Sequence, residues 1–162
     1  MIPSHSHAGR AVLFDASALV RLYVPEPSHE KVRTYFNESS TKYTTPFCFY
    51  ETLSALKTNW LHKGKLDRAQ YLDAAFRLSA WYEATNSEIT DLNFTDPALL
   101  KSARQIVESH GIDLSDAFQI LSMKNGYFSR LINDSQTLLV TADKGLAIAA
   151  VKEGLKVCCV VE

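Results

Sequence analysis

Ala11-Val12-Leu13-Phe14-Asp15 runs four apolar residues into a carboxylate, and Thr137-Leu138-Leu139-Val140-Thr141-Ala142-Asp143 does the same near the other end of the chain. Each reads as a short strand that delivers an aspartate at its carboxyl end. In an open α/β sheet, ligands bind in the crevice outside those ends. Two strands that each bring a carboxylate to one edge build an anionic pocket, and such a pocket attracts a metal ion.

Outward from these strands the pattern alternates. Helices are expected over 17–23, 28–37, 47–62, 66–82, 97–110, 114–127 and 146–153, with Ser28 as an N-cap, Asp96-Pro97 as a helix opening and Gly111 as a helix stop. Further strands are expected over 43–45, 88–90 and 157–161. Phe49, Leu53, Leu56 and Trp60 share one helical stripe, and Leu72, Phe76 and Leu78 are assigned to an apolar face of the next helix. Strands alternating with helices predict an α/β fold, a central parallel sheet with helices on both faces.

The 162 residues suit one domain. A flexible leader is expected over 1–10 and a single domain over 11–162. With 46% hydrophobic and 22% charged residues the composition is that of a soluble globular protein, and a net charge of -1 excludes a general nucleic-acid sponge. Cys48, Cys158 and Cys159 match neither a disulfide framework nor a zinc spacing; the last two lie in an apolar run and read as buried strand residues. A reducing cytoplasm fits. The leader lacks the apolar stretch of a signal peptide, and no run approaches the ~18 apolar residues of a membrane span. His5 and His7 read as tail residues rather than ligands.

Four carboxylates stand out. Asp15 and Asp143 each have a plain alternative as a helix cap or turn residue, although Ser17 would serve the first helix as well and leave Asp15 freer. Thr141, by strand alternation, shares a face with Asp143 and offers a supporting hydroxyl. Asp116 leads the stripe Asp116, Ile120, Met123 and Tyr127, opposite Leu114, Phe118, Leu121 and Asn125. Both sides are largely apolar, so the helix is expected to be central, and a carboxylate there is costly unless paired or metal-bound. Asp113 has the simpler account of a residue that precedes the helix and caps it or favours its dipole. Glu51 lies opposite the Phe49 stripe, in what reads as the first turn of its helix, and alone it resembles a solvated residue.

Carboxylates without histidine or thiolate select hard cations, Mg²⁺ or Mn²⁺. Such ions also bind substrate phosphate oxygens and assist phosphodiester cleavage. No Walker loop, dinucleotide fingerprint or nucleophile elbow is present. His29, His62 and His110 read as surface residues, as does Lys144.

These stretches resemble the motifs of the PIN domain family. Val12-Leu13-Phe14-Asp15-Ala16-Ser17-Ala18-Leu19-Val20 resembles its opening, and Phe49-Tyr50-Glu51-Thr52-Leu53-Ser54-Ala55-Leu56 its second motif. Leu114-Ser115-Asp116-Ala117-Phe118-Gln119-Ile120 resembles the third and Val140-Thr141-Ala142-Asp143-Lys144-Gly145-Leu146 the fourth. Order and spacing resemble the VapC-like branch from about 11 to 161. The resemblance implies a PIN fold and a Mg²⁺- or Mn²⁺-dependent endoribonuclease. It implies metal-binding carboxylates at Asp15, Glu51, Asp116 and Asp143, with Ser17 and Thr141 as polar supports; on this reading Asp15 and Asp116 are expected to be direct or water-bridged metal ligands and Glu51 and Asp143 to complete the catalytic acidic cluster. It further implies the toxin of a type II toxin–antitoxin pair, a small VapB-like antitoxin over the site, a homodimer, and RNA substrates such as tRNA or rRNA. The chain departs from the pattern in its leader, its long 81–97 connection and the extra Asp113.

Two rivals stay open. A phosphatase of the haloacid-dehalogenase type needs a second acid two residues after its nucleophile, where this chain has Ser17. A catalytically silent PIN-type binding module would keep the acidic pocket to hold a metal or a partner segment. Lys57, Lys63, Lys65 and Arg68 are either a phosphate-contacting edge or a solvated helix end.

Overall fold

The structure is a computed structural model that describes residues 10–86, 88–132 and 135–161. The expectations for His5 and His7, and nearly all of the expected leader, lie outside the described residues. The elements in chain order are β1 (Val12–Phe14), α1 (Ala16–Val20), α2 (His29–Glu38), β2 (Lys42–Tyr43), α3 (Pro46–Leu61), α4 (Arg68–Asn86), α5 (Pro97–His110) and α6 (Leu114–Asn125). A 3₁₀ turn (Tyr127–Ser129), β3 (Arg130–Ile132), β4 (Ser135–Gln136), β5 (Leu138–Thr141), α7 (Lys144–Lys152) and β6 (Lys156–Cys159) follow.

The main sheet has the order β2-β1-β5-β6, and every pairing in it is parallel. It is the expected α/β sheet. Leu13 lies beside Leu139 and Phe14 beside Val140. Successive strand residues point to opposite faces. Val12, Phe14, Leu138 and Val140 therefore pack with residues of α1 to α4, among them Leu19, Val32, Leu56 and Leu78. Leu13 and Leu139 face α5, α6 and α7 through Ile106, Ile120 and Leu146. The chain leaves β1 toward β2 on one side and β5 toward β6 on the other. The crevice at the carboxyl ends of β1 and β5 is thus the topological switch point, the place where such sheets bind ligands.

Local chemistry accounts for several ends. Asp96 caps α5 by accepting from the Ala98 N–H at 2.8 Å, and Pro97 opens that helix. Gly111 closes it at φ 67, a left-handed conformation that suits glycine, with its N–H on the Val107 carbonyl. The Phe49, Leu53, Leu56 and Trp60 stripe packs into the α1–α4 layer as its spacing predicts.

Elsewhere the fold departs from the sequence reading. On α4 the inward stripe is Tyr71, Ala74, Leu78 and Trp81, whereas Leu72 and Phe76 are 46% and 73% exposed. The aromatic stacks of Trp60 on Tyr71 and Phe49 on Tyr82 set that rotation. Residues 88–90 form no strand. Their connection is held by a side chain instead, because Asp91 accepts from Ser122 Oγ at 2.7 Å and from the Tyr127 N–H at 3.0 Å. Thr45, expected in a strand, caps α3 by accepting from the Cys48 N–H. Ser28 stands at the N-cap of α2 but makes no cap bond with its side chain. The antiparallel pairing of β3 with β4 was not among the expected strands. Cys158 and Cys159 are only partly buried, since β6 is an edge strand of the sheet. His110 is tucked against Glu153 at 2.7 Å rather than standing free at the surface. No helix among the described residues is long and apolar enough to cross a membrane.

Candidate active site

Asp15 follows β1 in extended conformation and is 3% exposed. It is itself the N-cap of α1, and Ser17 does not replace it. Its Oδ2 accepts from the Ser17 N–H at 3.2 Å, from the Ser17 hydroxyl, and from Thr141 Oγ1 at 2.9 Å. Both hydroxyls are anchored in turn. Ser17 Oγ accepts from the Ala142 N–H at 2.9 Å, and Thr141 Oγ1 accepts from the Asp143 N–H at 3.0 Å. A carboxylate this deep needs such donors to offset lost hydration. Three of them fall on one oxygen and leave Oδ1 directed elsewhere.

Asp143 follows β5 and caps α7, accepting from the Leu146 N–H at 3.0 Å. The helix therefore begins at Lys144, two residues before the sequence suggested. Asp143 is exposed, as is Glu51. Glu51 lies in the second turn of α3, not its first, because that helix opens at Pro46. Asp116 is in the first turn of α6, half-buried, ahead of a run from Ala117 to Met123 that is buried throughout. The expectation of a central helix holds there. Asp113 stands at the N-cap of α6, where the helix dipole favours its charge, but its side chain makes no cap bond.

Electrostatics gathers these groups. The Asp116 carboxyl is pushed up from the ordinary 3.8 to about 7, by burial first and then by the negative charges of Asp15, Asp143, Glu51 and Asp113. Like charges at one site disfavour ionisation, and burial adds to them. Three of the four carboxylates singled out in the sequence, Asp15, Glu51 and Asp143, thus act with Asp113 on the fourth, Asp116. Among the described residues no three Asp, Glu, His or Cys side chains stand close enough together to hold a metal ion.

Two neighbours gave no sequence signal. Cys48, on α3, lies with its Sγ 3.7 Å from Asp15 Oδ1 and 3.1 Å from Gln119 Oε1. Burial, and then the Asp15 charge, push its thiol well up, so it keeps its proton. Gln119, on α6, is 1% exposed, and its Nε2 has no partner. Of the basic edge, Lys65 pairs with Glu26 at 3.1 Å. Lys63 follows the end of α3, ~18 Å along the axis from Glu51 at 1.5 Å per residue. That separation favours a solvated helix end.

The chain matches the PIN domain family over residues 12–152 and belongs to it. No curated protein matches the chain. Family membership supports a nuclease or binding role. The donor types would suit a hard divalent cation, since four carboxylates act on Asp116 and no imidazole is among them.

Proposed function

We propose that the protein is a metal-dependent endoribonuclease that hydrolyses RNA phosphodiester bonds, the VapC-like toxin of a type II toxin–antitoxin pair. The observation that carries this reading is the placing of Asp15 and Asp143 at the carboxyl ends of β1 and β5, with the Asp116 carboxyl pushed up by burial and then by the charges of Asp15, Asp143, Glu51 and Asp113. So much negative charge at a sheet's switch point opposes folding unless it has a cationic ligand to meet. Asp15 and Asp116 are the proposed ligands of Mg²⁺ or Mn²⁺, with Glu51 and Asp143 completing the set. When bound, such an ion offsets the charge of a phosphodiester beside this acidic pocket. Ser17 and Thr141 orient Asp15 through Oδ2. Asp116 exchanges its proton near neutral pH, so the pocket gains charge over that range.

Cleavage of a mixed tRNA and rRNA pool tests this, run with Mg²⁺, with Mn²⁺ and with EDTA, beside Asp15→Asn. Discrete fragments that need the metal and vanish in the variant are expected. No fragments in any lane, from folded protein free of partner, would reject the nuclease. A small antitoxin that covers the pocket, and a homodimer, belong to the same reading. Co-expression with a small upstream reading frame, followed by mass measurement of the purified complex, tests both.

A silent binding module is the second reading. It is favoured by the spacing of the carboxylates, since no three described side chains are gathered for a metal as they stand. Tight partner association without turnover of any RNA in Mn²⁺ would select it.

A further inference from the structure

Cys48 Sγ has Asp15 Oδ1 at 3.7 Å and Gln119 Oε1 at 3.1 Å, both placed as acceptors. A thiol has one proton and cannot serve both. Gln119 Nε2, beside this clash of acceptors, is buried without a partner. Buried N–H groups are rarely left so, and an orphaned carbonyl is the more tolerable of the two. A half-turn of the amide leaves its shape unchanged and exchanges its oxygen for its nitrogen. The amide then donates to Sγ, and the thiol proton is free for Oδ1.

We propose that Gln119 and Cys48 form a positioning relay, Gln119 N–H to Cys48 Sγ and Cys48 S–H to Asp15 Oδ1, which fixes the oxygen of Asp15 that Ser17 and Thr141 leave open. The relay has a further consequence for the site. Cys48 lies three residues before Glu51 on α3, and Gln119 three residues after Asp116 on α6, so each pair shares a helix face. One buried chain of donors therefore ties both carboxylate-bearing helices to the end of β1. It rests on the metal-site reading above for its purpose, though not for its existence.

Two measurements test it. The S–H stretch of Cys48, identified as the infrared band lost in Cys48→Ser, reports the relay without any activity. It is expected to move in Asp15→Asn and again in Gln119→Met. Mn²⁺ binding, followed by electron paramagnetic resonance, reports the purpose. Cys48→Ala and Gln119→Met are expected to bind Mn²⁺ about fivefold more weakly, the effect of one modest hydrogen bond. Cys48→Ser, which keeps a donor, is expected to restore binding. The double variant Cys48→Ala, Gln119→Met should be no weaker than either single one, because both break the same chain. A band unmoved by Asp15→Asn overturns the relay. Mn²⁺ affinity that is measurable and equal in wild type and Cys48→Ala overturns its positioning role. If wild type binds no Mn²⁺ while the band still moves, the metal-site reading falls and the hydrogen-bonded chain stands. Melting curves of each variant separate these results from loss of fold.

Discussion

Thr141 Oγ1 donates to Asp15 Oδ2 at 2.9 Å, a side-chain bond that ties the carboxyl end of β5 to that of β1. The two residues are 126 positions apart, and the bond is buried. It sits where the chain turns away from both strands, so it sets the geometry of the crevice. Thr141→Val keeps the shape and removes the bond. It also strips the Asp143 N–H of its acceptor. We expect a loss of about 1–3 kcal/mol in urea unfolding, and weaker cleavage if the site is a nuclease. An unchanged midpoint would show that water replaces the hydroxyl at no cost.

Asp116 imposes a pH dependence on the metal-free protein. Its folded carboxyl titrates at about 7, above the ordinary 3.8. Between these values the folded state holds a proton that the unfolded state has released. Stability from this group therefore falls as pH rises through that window, and levels off above it. Urea midpoints from pH 5 to 8 should fall in the wild type, and the fall should be smaller in Asp116→Asn. A steeper fall in the variant would show that another group governs the window.

Metal addition should run the opposite way. A cation competes with the Asp116 proton, so Mn²⁺ should raise the melting temperature more at pH 8 than at pH 6. EDTA should abolish the rise. A pH-independent shift, or the same shift in Asp116→Asn, would place the ion elsewhere.

Gly126 closes against Asp91. A Cβ there would meet Asp91 Oδ1 at 2.3 Å and the Ser122 backbone at 2.9 Å. Gly126→Ala should cost about 1–3 kcal/mol by overpacking. Because Asp91 supplies the nearest clash, the cost should shrink in an Asp91→Ala background. Equal costs in the two backgrounds would assign the strain to Ser122 alone.

The α4 surface gives a direct contrast. Leu78→Ala should cost about 2–5 kcal/mol, because that side chain is fully buried. Phe76→Ser should stay within about 0.5 kcal/mol, because its ring is 73% exposed. Thermal melts of the two variants decide whether the inward face is the one described.

The sequence by itself determined the parallel α/β sheet and the strands before Asp15 and Asp143, and it singled out Asp15, Glu51, Asp116 and Asp143 as a candidate set. These are local matters, since an apolar run ending in an aspartate is read from neighbouring residues, and a strand's direction follows from alternation with helices. The helix stop at Gly111 and the opening at Asp96-Pro97 are local for the same reason. What only the tertiary structure decided depends on contacts between distant residues. The sequence reading placed Leu72 and Phe76 with Leu78 on the buried face of α4 and was wrong for the first two, because apolar residues surround that helix and stacking on α3 chooses among them. Asp113 takes the N-cap place its sequence position suggests, but only the fold shows that its side chain makes no cap bond and that its charge acts on Asp116. The bonds from Ser122 and Tyr127 to Asp91 join residues 31 and 36 positions apart, a distance local sequence does not read. Cys48 and Gln119 carry no motif of their own chemistry, and their meaning appears only where α3 and α6 close over the end of β1.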